Sequence, residues 1–423
     1  MNKELKKHCW MLILACFFVY TATICIKMVY SSEIVEIINK FGESKARVGI
    51  GLTSYYITYA ISQLSLAPFV KKINIGKLMV VTLTISAILY GIIPFTTELY
   101  QIWIILGING ILHASCFGGC MFYFGKYLPP ELNGPACSTL TIGFIGGTVV
   151  SYVIAPIFIR NGIWQYAFLL FAAILFVSVF VFIFVERKVE KVFKKYGIDT
   201  DKRQEAKKAP AETVRKKNNT VTAVVILMAA SALVINTAYY MITNWFPAYL
   251  KDVFLMDPVY SVVVTIILYI ASFIVTNLSI IICDKNRRKQ PLASILKLSS
   301  VIALTVSFVQ VFSYNVGGLI LAVVLSTIVL SFVRNNGTLM SSYMVLELKD
   351  FVNAASLTMI TNAAASLGAA IGPTAAGFVT DNFGWGAYFI FMTAVLAISL
   401  VIVFAATVFY KRLKVREEKN YPN

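Results

Sequence analysis

The sequence predicts an all-α polytopic membrane protein with twelve transmembrane helices in two pseudo-symmetric six-helix bundles. Three observations support this fold class. Of the 423 residues, 58% are hydrophobic and only 13% are charged, so a single soluble core cannot bury the apolar surface. Apolar runs of about 20 residues, the length that spans a bilayer, recur along the whole chain. Finally, two stretches in opposite halves of the chain resemble each other.

The apolar runs are expected to be helices, because a helix satisfies its own backbone hydrogen bonds in lipid. The alternating pattern of a membrane barrel strand is absent. The first run lacks a cleavage site of small residues and leads into further spans, so we expect no cleaved signal peptide. The predicted spans are 9–30, 48–70, 75–97, 100–125, 134–159, 163–185, 219–250, 258–283, 290–312, 318–346, 352–380 and 383–410.

The distribution of basic residues predicts the orientation. If the N-terminus is cytoplasmic, the segments on that side hold most of the 37 lysine and arginine residues. This asymmetry predicts a multi-pass protein of the cell membrane with both termini cytoplasmic. The net charge of +17 then belongs to loops facing anionic lipid, and its dispersal among the spans argues against a nucleic-acid partner.

The chain divides at a basic, weakly apolar segment in its middle. We predict an N-terminal six-helix bundle (1–185), a cytoplasmic basic linker (186–218), a C-terminal six-helix bundle (219–410) and a cytoplasmic tail (411–423). "NGIWQYAF" in the first half overlays "NFGWGAYF" in the second, at corresponding turns before the last span of each half. Parallel repeats of this kind are typical of secondary transporters whose substrate site lies near the bilayer midplane.

Glycines in the predicted spans 5 and 11 are expected to let helices approach closely: Gly143, Gly146, Gly147, Gly368 and Gly372. The seven cysteines form no CxxC pair, so we expect neither disulfides nor a metal site. No cofactor is expected, and the absence of a Walker loop, HExxH or GxSxG motif argues against an enzyme.

Three ionisable residues fall well inside the predicted spans: Lys27, His113 and Arg334. Such residues are rare in lipid and usually functional. For Lys27 the alternative is snorkelling to the surface, and for Arg334 and His113 it is a structural hydrogen bond.

All 20 Asp and Glu residues can be placed in loops or at span ends. Cations without a buried carboxylate predict an anion receptor formed by Lys27, paired with Arg334. Further hydrogen bonds to the hydroxyls of a sugar-like substrate are expected from polar residues of spans 1, 2 and 7: Tyr20, Tyr55, Tyr56, Tyr59, Asn236, Tyr239, Tyr240 and Asn244.

Four stretches resemble the major facilitator superfamily, and within it the organophosphate:phosphate antiporters that carry glycerol 3-phosphate and hexose phosphates. They are "FFVYTATICIKMVY" (17–30), "NWFPAYLKDV" (244–253), "IICDKNRRK" (281–289) and "LELKDFVNAASLTMITNAAASLGAAIGPTAAGFVTDNFGW" (346–385). The resemblance implies the twelve-helix fold and a monomer.

The resemblance also implies roles for particular residues. In the phosphate antiporters an arginine on span 1 and another on span 7 approach the substrate phosphate. The first falls on Lys27, which keeps the charge, and the second on Tyr239, which does not. A histidine on span 5 of the relatives falls on Gly143.

In the superfamily, the cytoplasmic loop between spans 2 and 3 usually resembles the motif G-x-x-x-D-R-x-G-R. Here this loop reads "APFVKKINIGK", with Lys71 near the expected aspartate. The corresponding loop of the second half keeps Asp284, Arg287 and Arg288, which we expect to form a conformational latch.

Together these features predict a secondary active transporter that moves a small organic anion by alternating access, such as a sugar phosphate exchanged for phosphate. Two alternatives stay open. One is a proton-coupled symporter of a neutral or zwitterionic solute in which His113 handles protons. The other is a transporter-like membrane sensor of a metabolite.

Overall fold

The computed structural model describes residues 3–66, 73–196, 219–286, 291–348, 351–352 and 354–420, and within these ranges it contains helices and no strands. Ten of the helices are long and apolar enough to cross a membrane. One of the ten, residues 357–413, covers most of the last two predicted spans, 352–380 and 383–410, and α3, described below, is not among the ten. The predicted all-α polytopic membrane fold is confirmed.

The helices follow the predicted spans closely, with one short additional helix after the first span. They are α1 Lys3–Ser32, α2 Ile34–Phe41, α3 Lys45–Leu66, α4 Ile75–Ile92, α5 Leu99–Tyr127, α6 Pro130–Arg160, α7 Tyr166–Lys195, α8 Asn219–Phe254, α9 Pro258–Lys285, α10 Leu292–Ser313, α11 Gly318–Thr338, α12 Met344–Glu347 and α13 Ala354–Asn420. A π-helical turn, Leu339–Tyr343, joins α11 to α12. The positive-φ backbone of Gly384, with φ 77° and ψ 179°, divides α13 in two.

By its internal contacts the chain forms two units. The first comprises Met1–Glu33 and Ile61–Ala211, and the second comprises Ile34–Ala60 and Glu212–Asn423. The boundary therefore falls inside α3, whose first part groups with the second half of the chain. Most of the predicted linker, residues 197–218, lies outside the described residues.

In the first unit α1 packs against α6 and α7, and α4 packs against α5 and α7. Glycines on α6 permit the close contact with α1. A Cβ on Gly143 would lie 2.8 Å from the Thr21 hydroxyl oxygen, and one on Gly147 would lie 2.7 Å from the Thr21 carbonyl oxygen. The expectation was wrong for Gly146, because nothing lies within 4 Å of a Cβ there.

The second unit repeats this arrangement. Helix α8 packs along α13, and a Cβ on Gly368 would lie 2.1 Å from the carbonyl oxygen of Leu233. A Cβ on Gly372 would lie 2.6 Å from the carbonyl oxygen of Thr237. Only glycine fits such backbone-to-backbone contacts between helices. The expected close approach is confirmed for these two glycines.

Candidate functional site

Arg334, on α11, lies in the second unit and is half-buried. Its Nη1 donates a hydrogen bond to the Tyr239 hydroxyl of α8 at 2.9 Å. The guanidinium carbon also lies 5.6 Å from the centroid of the Tyr239 ring, within the range of a cation–π interaction. The cation is therefore held by an aromatic neighbour inside the helical unit.

A cluster of tyrosines surrounds this contact. Tyr239 and Tyr240 are consecutive on α8, with ring centroids 5.0 Å apart, and both are buried. Tyr56 of α3 lies 4.8 Å from the Tyr240 ring, and the two hydroxyls are hydrogen-bonded. Tyr55 and Tyr59 stack at 6.0 Å one turn apart on α3. We call Arg334 and these five tyrosines the Arg334 cluster.

Four of the predicted substrate-binding residues are thus near one another: Arg334, Tyr239, Tyr240 and, at the edge, Tyr59. Asn236 lies one turn before Tyr240 on the same helix and is half-buried, and its amide nitrogen donates to the Ala232 carbonyl at 2.8 Å. Tyr56 was also among the candidates, but its contact with Tyr240 depends on how α3 lies against α8, which no local sequence pattern reveals.

The residues directly after Arg334 fix the position of α11. The side-chain amides of Asn335 and Asn336 donate to the hydroxyls of Ser299 and Ser300 on α10, both at 2.8 Å. All four residues are buried. Interhelical hydrogen bonds of this kind hold helices in register where lipid surrounds them. In the sequence "RNNG", the cation Arg334 is therefore followed directly by the two asparagines that fix its helix against α10.

Lys27 and His113 lie in the first unit. Lys27 is half-buried, five residues before the end of α1, and His113 of α5 is buried in the same unit. The predicted placement of Lys27 within the membrane helix agrees with the extent of α1.

His113 belongs to a buried hydrogen-bond network. Asn109 donates through Nδ2 to the Ile105 carbonyl at 2.8 Å, so its Oδ1 accepts from the Ser86 hydroxyl at 2.6 Å. Since that hydroxyl has a single proton, Ser86 Oγ accepts from His113 Nε2 at 2.7 Å. The proton of His113 is thus assigned to Nε2. This arrangement supports a structural role and weakens the expectation that His113 handles transported protons.

Glu33 departs from the sequence expectation. The residue was placed outside the first span, but α1 continues to Ser32 and α2 begins at Ile34. The chain between them is enclosed, and Ser31, Ser32 and Glu33 are buried, the last with 0% exposure. The expectation that no carboxylate would be buried is wrong for this residue, because the short helix α2 continues the buried segment.

The predicted latch is only partly described. Asp284, at the end of α9, accepts a hydrogen bond from the Tyr343 hydroxyl at 3.0 Å. Arg287 and Arg288 lie outside the described residues.

A second polar cluster, which the sequence did not reveal, joins α3, α8 and α13. Lys45 pairs with Asp252 at 3.0 Å, and the Trp385 indole donates to the same carboxylate at 3.3 Å. Asp381 accepts from the backbone N–H groups of Lys45 and Ala46, at 3.2 and 2.8 Å, and so caps the start of α3. Within the described residues no three His, Cys, Asp or Glu side chains are grouped to hold a metal ion.

Comparison with known proteins identifies the family. The profile of the Major Facilitator Superfamily matches residues 12–362, so the chain belongs to this superfamily. No curated protein matches the chain significantly. The protein is thus a multi-pass membrane transporter of the general superfamily kind rather than an enzyme.

Solved transporters share the fold at low sequence identity. A bacterial homologue of the human lysosomal transporter Spinster, inward-facing and unoccupied, has a TM-score of 0.73 at 13% identity, covering 97% of this chain and 99% of that one. The xylose transporter XylE from E. coli has a TM-score of 0.70 at 14% identity, covering 93% of this chain and 97% of that one. The nucleoside transporter NupG gives 0.68 at 15% identity, with 97% and 100% coverage.

Proposed function

We propose that this transporter carries a small organic anion, such as a sugar phosphate, in exchange for phosphate. The observation that supports this most directly is the Arg334 cluster. A charged side chain in a membrane helix costs about 2.5–3.5 kcal/mol on insertion scales, which makes a functional role the default. A bound anion would offset that cost each time the site is loaded.

The geometry of Arg334 suits an oxyanion. A guanidinium has five N–H donors in a planar fork, and the bond to Tyr239 uses one of them. Carboxylates and phosphates accept two parallel bonds from such a fork. Because Tyr239 orients the guanidinium before the substrate arrives, less side-chain freedom is lost on binding.

The resemblance to the phosphate antiporters supports the finer assignment. Lys27 retains the positive charge at the span 1 position, in the first unit. The span 7 position is Tyr239, which carries no charge but binds the guanidinium of Arg334. Arg334 of α11 therefore brings a positive charge next to the position at which the relatives have an arginine. This arrangement is compatible with phosphate, phosphonate or carboxylate substrates.

A second candidate function rests on Glu33. A fully buried carboxylate must be neutralised by a partner or by a proton, and carboxylates that exchange protons are a usual component of proton-coupled transport. Glu33 suits this role better than His113, whose Nε2 proton is held by Ser86. The second candidate is therefore a proton-coupled symporter of a neutral or zwitterionic solute.

Counterflow in proteoliposomes distinguishes the two candidates. Vesicles are loaded with unlabelled phosphate or hexose phosphate, and uptake of the labelled compound is measured with and without a pH gradient. Anion exchange that needs no gradient supports the first candidate. Uptake of a neutral solute that needs the gradient, and that stops in Glu33→Gln, supports the second. Specific binding without flux of any tested solute would favour a metabolite sensor.

The predicted topology belongs to the same proposal. We propose that the protein lies in the cell membrane as a monomer with both termini in the cytoplasm. Single-cysteine labelling with an impermeant reagent, applied near each terminus in intact cells, tests the orientation.

A further inference from the structure

A groove of about 560 Å³ runs between α3 and α13 in the second unit. Ile50 and Ile57 of α3 form part of one wall, and Ile371 and Phe378 of α13 form part of the other. Ile57, Ile371 and Phe378 are exposed at the protein surface. Exposed isoleucine and phenylalanine side chains on membrane-spanning helices are suited to contact lipid, so hydrocarbon is the occupant that these walls fit best.

The threonine hydroxyls in the floor of the groove are already hydrogen-bonded within the protein. The hydroxyls of Thr53 and Thr374 bond to each other at 2.7 Å, and Thr53 also donates to the Ala370 carbonyl. The helices touch along the floor near Gly49, where a Cβ would lie 3.0 Å from Thr374 Cα. A dry floor of this kind accommodates an acyl chain without loss of hydrogen bonds.

The length of the groove matches one leaflet. From Arg47 at one end to Ile57 at the other, α3 advances by about 15 Å at 1.5 Å per residue. This is roughly half of the ~30 Å hydrocarbon core. An acyl chain in the groove would therefore have its headgroup beside Arg47.

The apolar walls cannot select the occupant, because lipid tails are as apolar as the isoleucines they would contact. Selection must come from the headgroup end. Arg47 is the one charged residue among the described residues that line the groove, and its side chain is 56% exposed. Its guanidinium pairs with Glu43, one turn earlier on the chain, at 2.8 Å.

The charges near this end offer an anionic headgroup no positive surplus. Lys45 pairs with Asp252, and Asp381 accepts from the start of α3. The carboxylates of Glu43, Asp252 and Asp381 are matched in number by the cations Lys45, Arg47 and Lys251, the last of which donates to Asn39. A zwitterionic headgroup instead matches the Arg47–Glu43 pair, since its phosphate can bind the guanidinium and its amine the carboxylate.

We propose that this groove binds one phosphatidylethanolamine molecule, with its phosphate on Arg47, its ammonium on Glu43 and an acyl chain between α3 and α13. A primary ammonium is favoured over the quaternary amine of phosphatidylcholine because only the former donates hydrogen bonds to a carboxylate. The site is distinct from the Arg334 cluster and does not depend on what the protein transports.

Native mass spectrometry of the purified full-length protein tests the proposal. The protein is equilibrated with an equal mixture of phosphatidylethanolamine, phosphatidylcholine and phosphatidylglycerol carrying identical acyl chains, and the retained lipid is quantified. We expect about fivefold enrichment of phosphatidylethanolamine, the ratio that ~1 kcal/mol of selectivity gives. Equal retention of the three lipids, or enrichment of phosphatidylglycerol, would overturn the proposal.

Variants locate the site. Ile371→Trp fills the groove and should abolish the enrichment, whereas Ile267→Trp on α9 is the matched control, because both isoleucines are 50% exposed. Wild-type enrichment in Ile371→Trp would refute the location. Glu43→Gln leaves the walls of the groove unchanged, so it tests the headgroup contact even if the tryptophan disturbs folding. It should remove the preference over phosphatidylcholine, and an unchanged preference would exclude Glu43 as the ammonium partner.

Discussion

Replacing Arg334 with alanine is expected to weaken binding of the transported anion while leaving the protein folded in the membrane. The guanidinium is half-buried and bonded to the Tyr239 hydroxyl, so the substitution removes a fixed positive charge from the Arg334 cluster. The anchoring of α11 does not depend on this side chain, because Asn335 and Asn336 bond separately to α10.

The size of the effect follows from the bonds that are lost. A hydrogen bond to a charged group contributes about 1.5–3 kcal/mol. Loss of one such bond to the substrate raises the KM for exchange by about 10- to 150-fold. Arg334→Lys keeps the charge but not the planar fork, so its KM should lie between the alanine variant and the wild type. Tyr239→Phe keeps the arginine and removes the hydroxyl that orients it, so a smaller increase is expected.

Counterflow of labelled phosphate and hexose phosphate gives the KM of each variant. Lys297→Ala is a suitable control, because Lys297 is a basic residue of the same unit whose ammonium lies 4.9 Å from the ring centroid of Phe404 and outside the cluster. Anion exchange in Arg334→Ala with the KM and maximal rate of the wild type would refute the assignment of Arg334 to the substrate.

Three further outcomes are expected. Lys27→Ala should abolish anion exchange without reducing the amount of folded protein in the membrane; normal exchange would remove Lys27 from the proposed site. Lys45→Ala should lower the melting temperature by breaking the pair with Asp252, and the additional change Asp252→Asn should then cost little more; fully additive losses would show that the two side chains act independently. Burial raises the pKa of Glu36, in the short helix α2, above its usual 4.5 despite the nearby Lys251. Because the folded protein holds this proton more tightly than the unfolded chain does, protonation of Glu36 stabilises the fold. This stabilisation is complete below pH 4.5 and is lost as the pH rises through the raised pKa. Glu36→Gln should therefore melt higher than the wild type at pH 7 and equally at pH 4, and equal melting temperatures at both values would contradict this reasoning.

The parts of the fold that depend on local pattern were predictable. Apolar runs predict membrane helices because each helix satisfies its own backbone, and the glycines at 143, 147, 368 and 372 mark the close helix contacts that the structure contains. The division of α13 at Gly384 lies next to the predicted boundary between spans 352–380 and 383–410. The π-helical turn at Leu339–Tyr343 was not predicted, since it does not change the apolar pattern.

The candidate site was predictable by residue type but not by pairing. Arg334 and Tyr239 were both singled out, yet their contact depends on how α11 and α8 pack, over a separation of 95 residues. The contact between Lys45 and Asp252 likewise depends on helix packing, and in the sequence both are ordinary charged residues near the ends of predicted spans. Glu33 was misjudged because burial at a helix junction depends on the path of α2, which its eight residues do not reveal.

The π-helical turn after α11 determines where the chain can lose a single residue without losing its interhelical contacts. Upstream of it, Asn335 and Asn336 hold the helix to α10, and Tyr343, its last residue, bonds to Asp284 of α9. The bond from the N–H of Met344 to the carbonyl of Leu339 spans one residue more than an α-helical bond does. Deleting one residue from this turn would restore an ordinary helix and keep both sets of contacts in phase. Deleting one residue earlier in α11, upstream of Arg334, would instead rotate the anchoring amides by about 100° relative to the preceding part of the helix and away from their serines.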